Sequence, residues 1–432
     1  MGILRTQVEL ELNRILKSES FAGGKYPPAE KTGQLLRHIV EATLDGKSLT
    51  QNALLMDFYG FDPSELDASR DDARIGVLRL RKKLDNYNAG PGADDSVVIT
   101  IPKGQYRAVF TENPSSPIQK EIRLGFRQLA AETMTHLYRA LNHFERAIEL
   151  QLANAEAWAG LASTYVATAT DALAYDVNSR LFRAEMAAMD ATIIDAKSWR
   201  AHAALGSAYL YLHKWQKADI AFETARKIAP LELIEDNNYY VYLLSRGHLT
   251  EARKLAQDYE DVGFDDPVLL TRAGHIFYLL RDFDKARQVL RHASELHPSF
   301  WRCHLFLTFV HLSACESKKA FEALETAKGY SDKSAWLGLQ VMCLEACGKS
   351  KEAEKNLHDL LQLHQAHVAA PAQLALAYLA LGDADKAISY LSESCENFDP
   401  FTACLHLWPI LDPLRKYQAF RELLRKWDFP VV

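Results

Sequence analysis

The stretch HAALGSAYLYLHKWQKADIAFETARKIAP, His202 to Pro230, returns in outline as LTRAGHIFYLLRDFDKARQVLRHASELHP, Leu270 to Pro298. Each copy has the pattern of a helix, a short turn and a second helix that ends at proline, a residue that cannot continue a helix. Small residues in the first helix, such as Gly206 and Gly274, allow a neighbouring helix to approach closely. The two copies therefore predict one helical hairpin used repeatedly.

An alanine in the second helix marks the period of this hairpin. It recurs at steps of 34, 34, 34, 33 and 34 residues, at Ala218, Ala252, Ala286, Ala320, Ala353 and Ala387. Upstream, Ala140 and Ala184 are 44 residues apart, which indicates an insertion near the stretch ATATDALAYDVN. A period of 34 with small residues at helix contacts resembles the tetratricopeptide repeat (TPR) family. The resemblance implies an α-solenoid of about eight hairpins, from 120 to 400, with a concave surface for a partner protein or peptide.

Candidate partner contacts follow from the repeat register, because the first helices line the concave surface of such a solenoid. The alternative for each of them is packing between helices or an ordinary exposed position. The aromatic run from Asn237 to Tyr242 could mark either a groove or a repeat interface. The candidates on or near first-helix faces are Arg200, Tyr211, Asn237, His275, Tyr278, Arg302, Phe309 and Trp336.

The chain before FTENPSSPIQ, 110–119, has a different pattern. Periodicity predicts helices there at 4–17, 29–44, about 50–58 and 71–88. The segments VVITIP and YRAVF flank Lys103-Gly104-Gln105 and predict a β-hairpin over 97–110. We therefore divide the chain into a domain at 1–110, a linker at 111–119, the repeats at 120–400 and a C-terminal cap at 401–432 with an amphipathic helix at 415–427.

Two segments of the first domain resemble OmpR/PhoB-type winged helix-turn-helix domains. RLRKKL, from Arg79, resembles the end of the recognition helix, and VVITIPKGQYR, from Val97, resembles the wing. Gly104 and Tyr106 match the wing motif, whereas Lys103 replaces its first glycine. The family opens with a small antiparallel sheet, and this chain instead predicts a helix at 4–17. Phe61-Asp62-Pro63 matches a bacterial group in which such a domain precedes repeat or enzymatic modules.

The resemblance implies that helix 71–88 enters the major groove of duplex DNA and that the hairpin forms the wing. Arg79 is then expected to contact a base, because arginine pairs with guanine in a bidentate manner. Arg74, Arg81 and Lys82 are expected at backbone phosphates. Lys103, Gln105 and Arg107 are expected in the minor groove or at phosphates. The fold class is mainly α: a winged helix-turn-helix domain, a TPR α-solenoid and a C-terminal capping helix.

Composition limits the remaining functions. The 432 residues carry 50 Lys and Arg against 56 Asp and Glu, a net charge of −6, whereas 1–110 are balanced at 15 and 15. Apolar runs are too short for a membrane span, and the six cysteines form no CxxC pair, so we expect a cytoplasmic protein with reduced thiols. His297, His304 and His311 recur every seven residues, but the spacing is flexible and suggests no carboxylate partner, so no metal is expected.

No nucleotide-binding or catalytic motif is present, so neither a cofactor nor enzyme activity is expected. The leading interpretation is a bacterial transcriptional regulator that binds duplex DNA and, through its repeats, a partner protein, an effector or a second copy of itself. The alternative is a TPR interaction scaffold whose first domain binds protein rather than DNA.

Overall fold

The computed structural model describes residues 5–22, 28–66, 70–93, 95, 97–112, 117–171, 176–330 and 336–430. The chain divides into two compact units. The first unit contains Met1–Arg127 together with Asp261–Asp265, and the second contains Gln128–Glu260 and Asp266–Val432. Among the described residues, every helix is too short or too polar to cross a bilayer.

The first unit consists of helices followed by two antiparallel strands, as the sequence pattern predicts. Helix α6 begins in this unit and ends in the second. The elements are α1 Arg5–Lys17, α2 Glu19–Ala22, α3 Pro28–Leu44, α4 Gln51–Asp57, α5 Arg70–Ala89, β1 Val97–Thr100, β2 Val109–Glu112 and α6 Pro117–Ala130.

The core of the first unit combines residues from α1 to α5 and β1, because α1, α3 and α5 each have one apolar face. Its buried side chains include Val8, Leu12, Ile15, Leu35, Leu36, Ile39, Leu54, Leu80, Leu84, Tyr87 and Ile99.

The β-hairpin pairs Val97 with Glu112 and Thr100 with Val109. The second strand therefore starts three residues later than the predicted YRAVF segment and extends to Glu112. The connection between the strands is therefore longer, and the Arg81 guanidinium donates to its backbone carbonyls at Ile101, Pro102 and Gln105. The predicted linker 111–119 overlaps the end of β2 and the start of α6. Its remaining residues, 113–116, lie outside the described residues.

The second unit continues as successive helices. After α7, the described helices pair as hairpins from α8/α9 to α20/α21, and α22 follows. They are α7 Met134–Leu150, α8 Ala155–Asp171, α9 Val177–Ile194, α10 Trp199–Tyr211, α11 Trp215–Ile228, α12 Tyr239–Ser245, α13 Leu249–Val262, α14 Pro267–Leu279, α15 Phe283–Leu296, α16 Trp301–Ser313, α17 Ser317–Gly329, α18 Leu337–Ala346, α19 Ser350–Gln365, α20 Pro371–Ala380, α21 Ala384–Glu396 and α22 Gln418–Lys426.

Side-chain size sets the packing within each hairpin. A Cβ atom added to Gly206 would lie 2.8 Å from the Phe222 ring, and one added to Gly274 would lie 2.4 Å from Leu290 Cγ. The glycine in the first helix thus accommodates the large residue of the second. The alanines of the 34-residue period are all fully buried, which confirms the repeat: Ala218, Ala252, Ala286, Ala320, Ala353 and Ala387.

The C-terminal segment, residues 398–430, contacts the last hairpin and also earlier ones, and its role as a cap stays a prediction. It forms two 3-10 turns, Pro400–Cys404 and Pro409–Leu414, which pack against α10, α12 and α16 as well as α21. Ser245 Oγ donates to the Ala403 carbonyl at 2.6 Å. Prolines prevent a regular helix here. Leu405, Trp408 and Leu411 are buried, and the Trp408 ring lies 5.2 Å from that of Phe309.

Candidate functional site

A cavity of about 200 Å³ lies on the side of the second unit formed by the first helices of successive hairpins. Helices α10, α12, α14, α16 and α20 contribute to its wall, and the C-terminal segment closes part of it. We refer to it as the inner cavity. Its aromatic lining includes Phe300, Trp301, Phe306, Phe309, Trp336, Phe401 and Trp408, with Tyr211 and Tyr240 beside them.

The structure brings together most of the predicted first-helix candidates. The inner cavity is lined by Tyr211, Asn237, His275, Arg302, Phe309 and Trp336. Two candidates lie elsewhere. Arg200 Nη1 is 3.7 Å from Glu156 Oε1, and the buried Tyr278 hydroxyl is 3.1 Å from Ser313 Oγ.

Sequence reasoning missed other members of the cavity wall. Glu132 precedes the repeats that supply the other charged groups, and Trp408 belongs to the C-terminal segment. No periodic signal marks either residue, because neither lies on a repeat helix. Arg272 and Thr271 could have been found, since both are on the same helix as His275.

A charged network forms one side of the inner cavity. Arg272 Nη2 donates to Glu132 Oε1 and to Asn237 Oδ1, both at 2.6 Å. Arg302 Nη1 lies 3.7 Å from Glu132 Oε2. Burial acts to lower the pKa of Arg272, but the Glu132 carboxylate outweighs it, so the pKa is raised and the guanidinium stays charged.

His275 forms another part of the wall. Its ring stacks on Phe306 with the centroids 4.1 Å apart, and its Nδ1 lies 3.2 Å from the Tyr240 hydroxyl. Burial lowers the pKa of His275 to about 3, so the ring is neutral at pH 7. His275 Nε2 and Thr271 Oγ1 are buried and have no hydrogen-bond partner among the described residues.

The basic residues of the first unit do not form one exposed set. Arg81 donates to the carbonyls of Ile101 at 3.0 Å, Pro102 at 3.1 Å and Gln105 at 2.8 Å. Its guanidinium thus bonds backbone carbonyls inside the unit, and the phosphate contact expected of it stays a prediction. Arg74 Nε is 3.0 Å from Asp71 Oδ1, and Lys82 is half-buried.

Arg79, the expected base contact, is half-buried. Its Nε is buried without a hydrogen-bond partner among the described residues. Burial lowers the pKa of Arg79, while the carboxylates of Asp261 and Asp265, in the same unit, act in the opposite direction. In this conformation Arg79 is not presented on an open helix face.

The turn between β1 and β2 is an exposed basic feature of this unit. Lys103, Gln105 and Arg107 are all exposed. Gly104 has φ of +73°, a conformation that glycine adopts without strain. The predicted wing residues therefore share one accessible loop, and Arg81 holds that loop against α5.

Helix α9 carries an exposed apolar face. Four large side chains, at spacings of four, three and four residues, lie on this face, and we name them the α9 stripe: Phe182, Met186, Met189 and Ile193. Their exposed fractions run from 39% for Met189 to 78% for Ile193. The sequence pattern does not mark these residues, because apolar residues on a helix are ordinarily expected in the core.

Metal-binding side chains do not converge in the part of the chain that the structure describes. Of the histidines spaced by seven, His311 Nδ1 contacts Glu316 Oε2 at 2.6 Å, a carboxylate partner that the spacing did not suggest. His304 Nε2 lies 2.8 Å from the Pro298 carbonyl.

Comparison with known proteins agrees with the repeat architecture. The tetratricopeptide repeat profile matches residues 372–397. No curated protein matches the sequence significantly. The helical hairpins of the second unit form a TPR-like α-solenoid, in which residues 372–397 match a tetratricopeptide repeat.

Solved structures with a similar fold have low sequence identity. A monomeric IFIT1 mutant with m7Gppp-AAAA is 13% identical, with a TM-score of 0.52, over 99% of this chain and 95% of that one. The APC/C hetero-tetramer Cut9-Hcn1 is 13% identical, with a TM-score of 0.46, over 98% and 74%. A thermophilic TPR protein from Thermus thermophilus is 20% identical, with a TM-score of 0.29, over 53% and 98%. At this identity the likeness to the IFIT1 mutant concerns the fold alone.

Proposed function

We propose that this protein is a TPR interaction scaffold that binds a protein partner through the α9 stripe. The observation that carries the proposal is the exposure of four large apolar side chains on one helical face. Exposed apolar patches on soluble domains mark interaction surfaces, because covering them releases water at roughly 25 cal/mol per Å². Met186 and Met189 suit this role, since methionine adapts its shape to a partner.

The test compares partner capture by full-length variants. Met186→Lys combined with Ile193→Lys places two charges on the α9 stripe, and Leu152→Lys is the matched control. Leu152 is another exposed apolar residue, in the connection between α7 and α8. Cross-linking in the source cells, followed by mass spectrometry, should recover a partner with the wild type and with Leu152→Lys but not with the stripe variant. Recovery of the same partner with all three would contradict the proposal.

We also propose a second function for the first unit, the binding of duplex DNA in transcriptional regulation. The supporting observation is the order of α4, α5 and an antiparallel hairpin, with Lys103, Gln105 and Arg107 exposed on the connecting loop. Winged helix domains use this order, with the loop against the DNA backbone or minor groove. Arg81 supports the loop from within the unit.

Fluorescence anisotropy with the full chain tests DNA binding. The probes are a duplex from the upstream region of the protein's own gene and a scrambled duplex, each at two salt concentrations. Lys103→Ala with Arg107→Ala should weaken binding and reduce the salt dependence, because fewer phosphate counterions are released. Lys47→Ala, at an exposed lysine outside the loop, is the control. Equal weak binding of both duplexes by all variants would leave the first unit as a protein-binding module.

A further inference from the structure

The α9 stripe has the spacing of a seam between two paired helices. Its members, Phe182, Met186, Met189 and Ile193, follow one another at four, three and four residues. Such an alternation is that of the two apolar positions in a heptad, which lie along one line and face one partner helix. A helix face that packs on a globular core carries a wider apolar band. The exposed stripe therefore suits a single helix as its partner.

The charged residues of α9 indicate which helix fits the stripe. The helix carries four of them, Arg180, Arg183, Glu185 and Asp190. Two are engaged within the second unit. Arg180 donates to a carbonyl of α8 at 2.9 Å, and Glu185 accepts from Lys214 at 2.6 Å. The remaining two, Arg183 and Asp190, are available to a partner.

Arg183 and Asp190 lie on one flank of the stripe, because seven residues make about two helical turns. Arg183 is exposed and Asp190 is half-buried. Among the described residues, neither forms an ion pair or a side-chain hydrogen bond. A flank with a positive charge toward one end and a negative charge toward the other is complementary to its own copy turned end to end.

A two-fold axis through the middle of the stripe satisfies both the seam and the flank. In an antiparallel pair of α9 helices, Phe182 lies opposite Ile193 of the second copy, and Met186 lies opposite Met189 of the second copy. Arg183 of each copy then lies near Asp190 of the other, so that the ion pair forms twice. A closed two-fold interface uses the same patch on both chains, which a single self-complementary stripe provides.

We infer that the partner of the α9 stripe is a second copy of this chain, bound through antiparallel α9 helices. The inference rests on the proposed scaffold function, because it names the partner of the same surface. The seam covers only two heptads, and interfaces of small area are transient. The dimer therefore forms reversibly, and its population rises with protein concentration.

Sedimentation velocity of the full chain over a range of concentrations tests the inference. The wild type should pass from monomer to dimer as the concentration rises. Met186→Lys combined with Ile193→Lys should stay monomeric throughout, because it places charges in the seam. Leu152→Lys should dimerise like the wild type. Thermal melts establish that each variant is folded.

Charge reversal tests the antiparallel arrangement. Arg183→Glu or Asp190→Arg turns two attractive contacts into two repulsive ones, so each variant alone should dimerise about tenfold more weakly than the wild type. An equal mixture of the two variants should form a mixed dimer with nearly wild-type affinity, because every contact again joins opposite charges. Lys254→Glu, the same reversal at an exposed lysine of α13, is the control and should change nothing.

Three results would each overturn the inference: a wild type that is monomeric at every concentration, a dimer that persists with both lysines in the seam, or a mixture that dimerises no better than its components. The scaffold proposal is tested separately by the cross-linking experiment. Recovery of a different protein through the stripe, with a monomeric wild type, would leave the scaffold function and remove the self-pairing. Unchanged cross-linking in the stripe variant contradicts the scaffold proposal itself.

Discussion

The two units fix their geometry by different means. In the second unit, small residues face large ones at regular intervals, as at Gly206 against Phe222 and Gly274 against Leu290. In the first unit, the hairpin depends on one guanidinium, Arg81, that bonds three carbonyls 20 or more positions away along the chain. Size complementarity can be repeated along a sequence, whereas a long-range polar contact cannot. The first kind of geometry is therefore readable from a sequence pattern and the second is not.

Overpacking a hairpin of the second unit should have the largest effect. Gly274→Val places a branched side chain where even a Cβ atom would lie 2.4 Å from Leu290. We expect the free energy of unfolding of the second unit to fall by about 3 kcal/mol, measured by urea denaturation. Leu290→Ala in the same chain should recover part of this loss, because the two sites share one space. If the losses of unfolding free energy from the two substitutions simply added in the double variant, the contact between positions 274 and 290 would not be the cause of the destabilisation.

Removing the guanidinium of the first unit should have an intermediate effect. Arg81→Met keeps most of the side-chain length and loses the bonds to Ile101, Pro102 and Gln105, so we expect a loss of about 2 kcal/mol. Hydrogen exchange should accelerate at 101–108 and stay unchanged in the second unit. Arg37→Met, which breaks an exposed pair with Glu41, should change stability by less than about 0.5 kcal/mol. Equal hydrogen-exchange protection of residues 101–108 in the two variants would show that Arg81 does not stabilise the connection between the strands.

The smallest expected effect concerns a contact of the second unit that lies outside the repeat pattern. His213 stacks on Trp215 at 4.9 Å, and its Nε2 is 3.1 Å from Thr402 Oγ1 of the C-terminal segment. Burial lowers the pKa of His213 to about 4, whereas the unfolded chain has the ordinary value near 6.5. The neutral ring therefore contributes stability above pH 6.5 that is lost as the pH falls toward 4.

The free energy of unfolding of the wild type should fall between pH 7 and pH 5.5. In His213→Asn we expect this fall to be about 1 kcal/mol smaller. Asparagine also tolerates the positive φ of 51° at this position. Denaturant unfolding at both pH values measures the difference, and other buried groups cancel because both chains carry them. An identical fall in stability at pH 5.5 in the two proteins would contradict the assignment of this pH dependence to His213.

Most of the fold could be predicted from the sequence, because each hairpin repeats its own packing information. The fully buried alanines at 218, 252 and 286 follow directly from the 34-residue period. The candidate site could be predicted in part. His275, Arg302 and Phe309 line the inner cavity because helical register determines which face a residue occupies.

The rest of the site depends on contacts between distant parts of the chain. Glu132 meets Arg272 across 140 positions, and nothing near either residue indicates the other. Trp408 lies in a segment without regular helix, so no periodicity marks the face it presents. For the same reason the α9 stripe was missed, since an apolar residue in a helix predicts burial unless its neighbours in space are known.

The return of the C-terminal segment to the early repeats has a consequence for biosynthesis. Trp215 Nε1 donates to the Trp427 carbonyl at 2.8 Å, across 212 positions. Stacked repeats ordinarily contact only their neighbours and can fold in the order in which they leave the ribosome. Here the apolar inner face of the earlier repeats stays uncovered until the C-terminal segment has been synthesised. The wall of the inner cavity is therefore complete only after Trp408 has been added, so we expect a long-range contact to close late in folding.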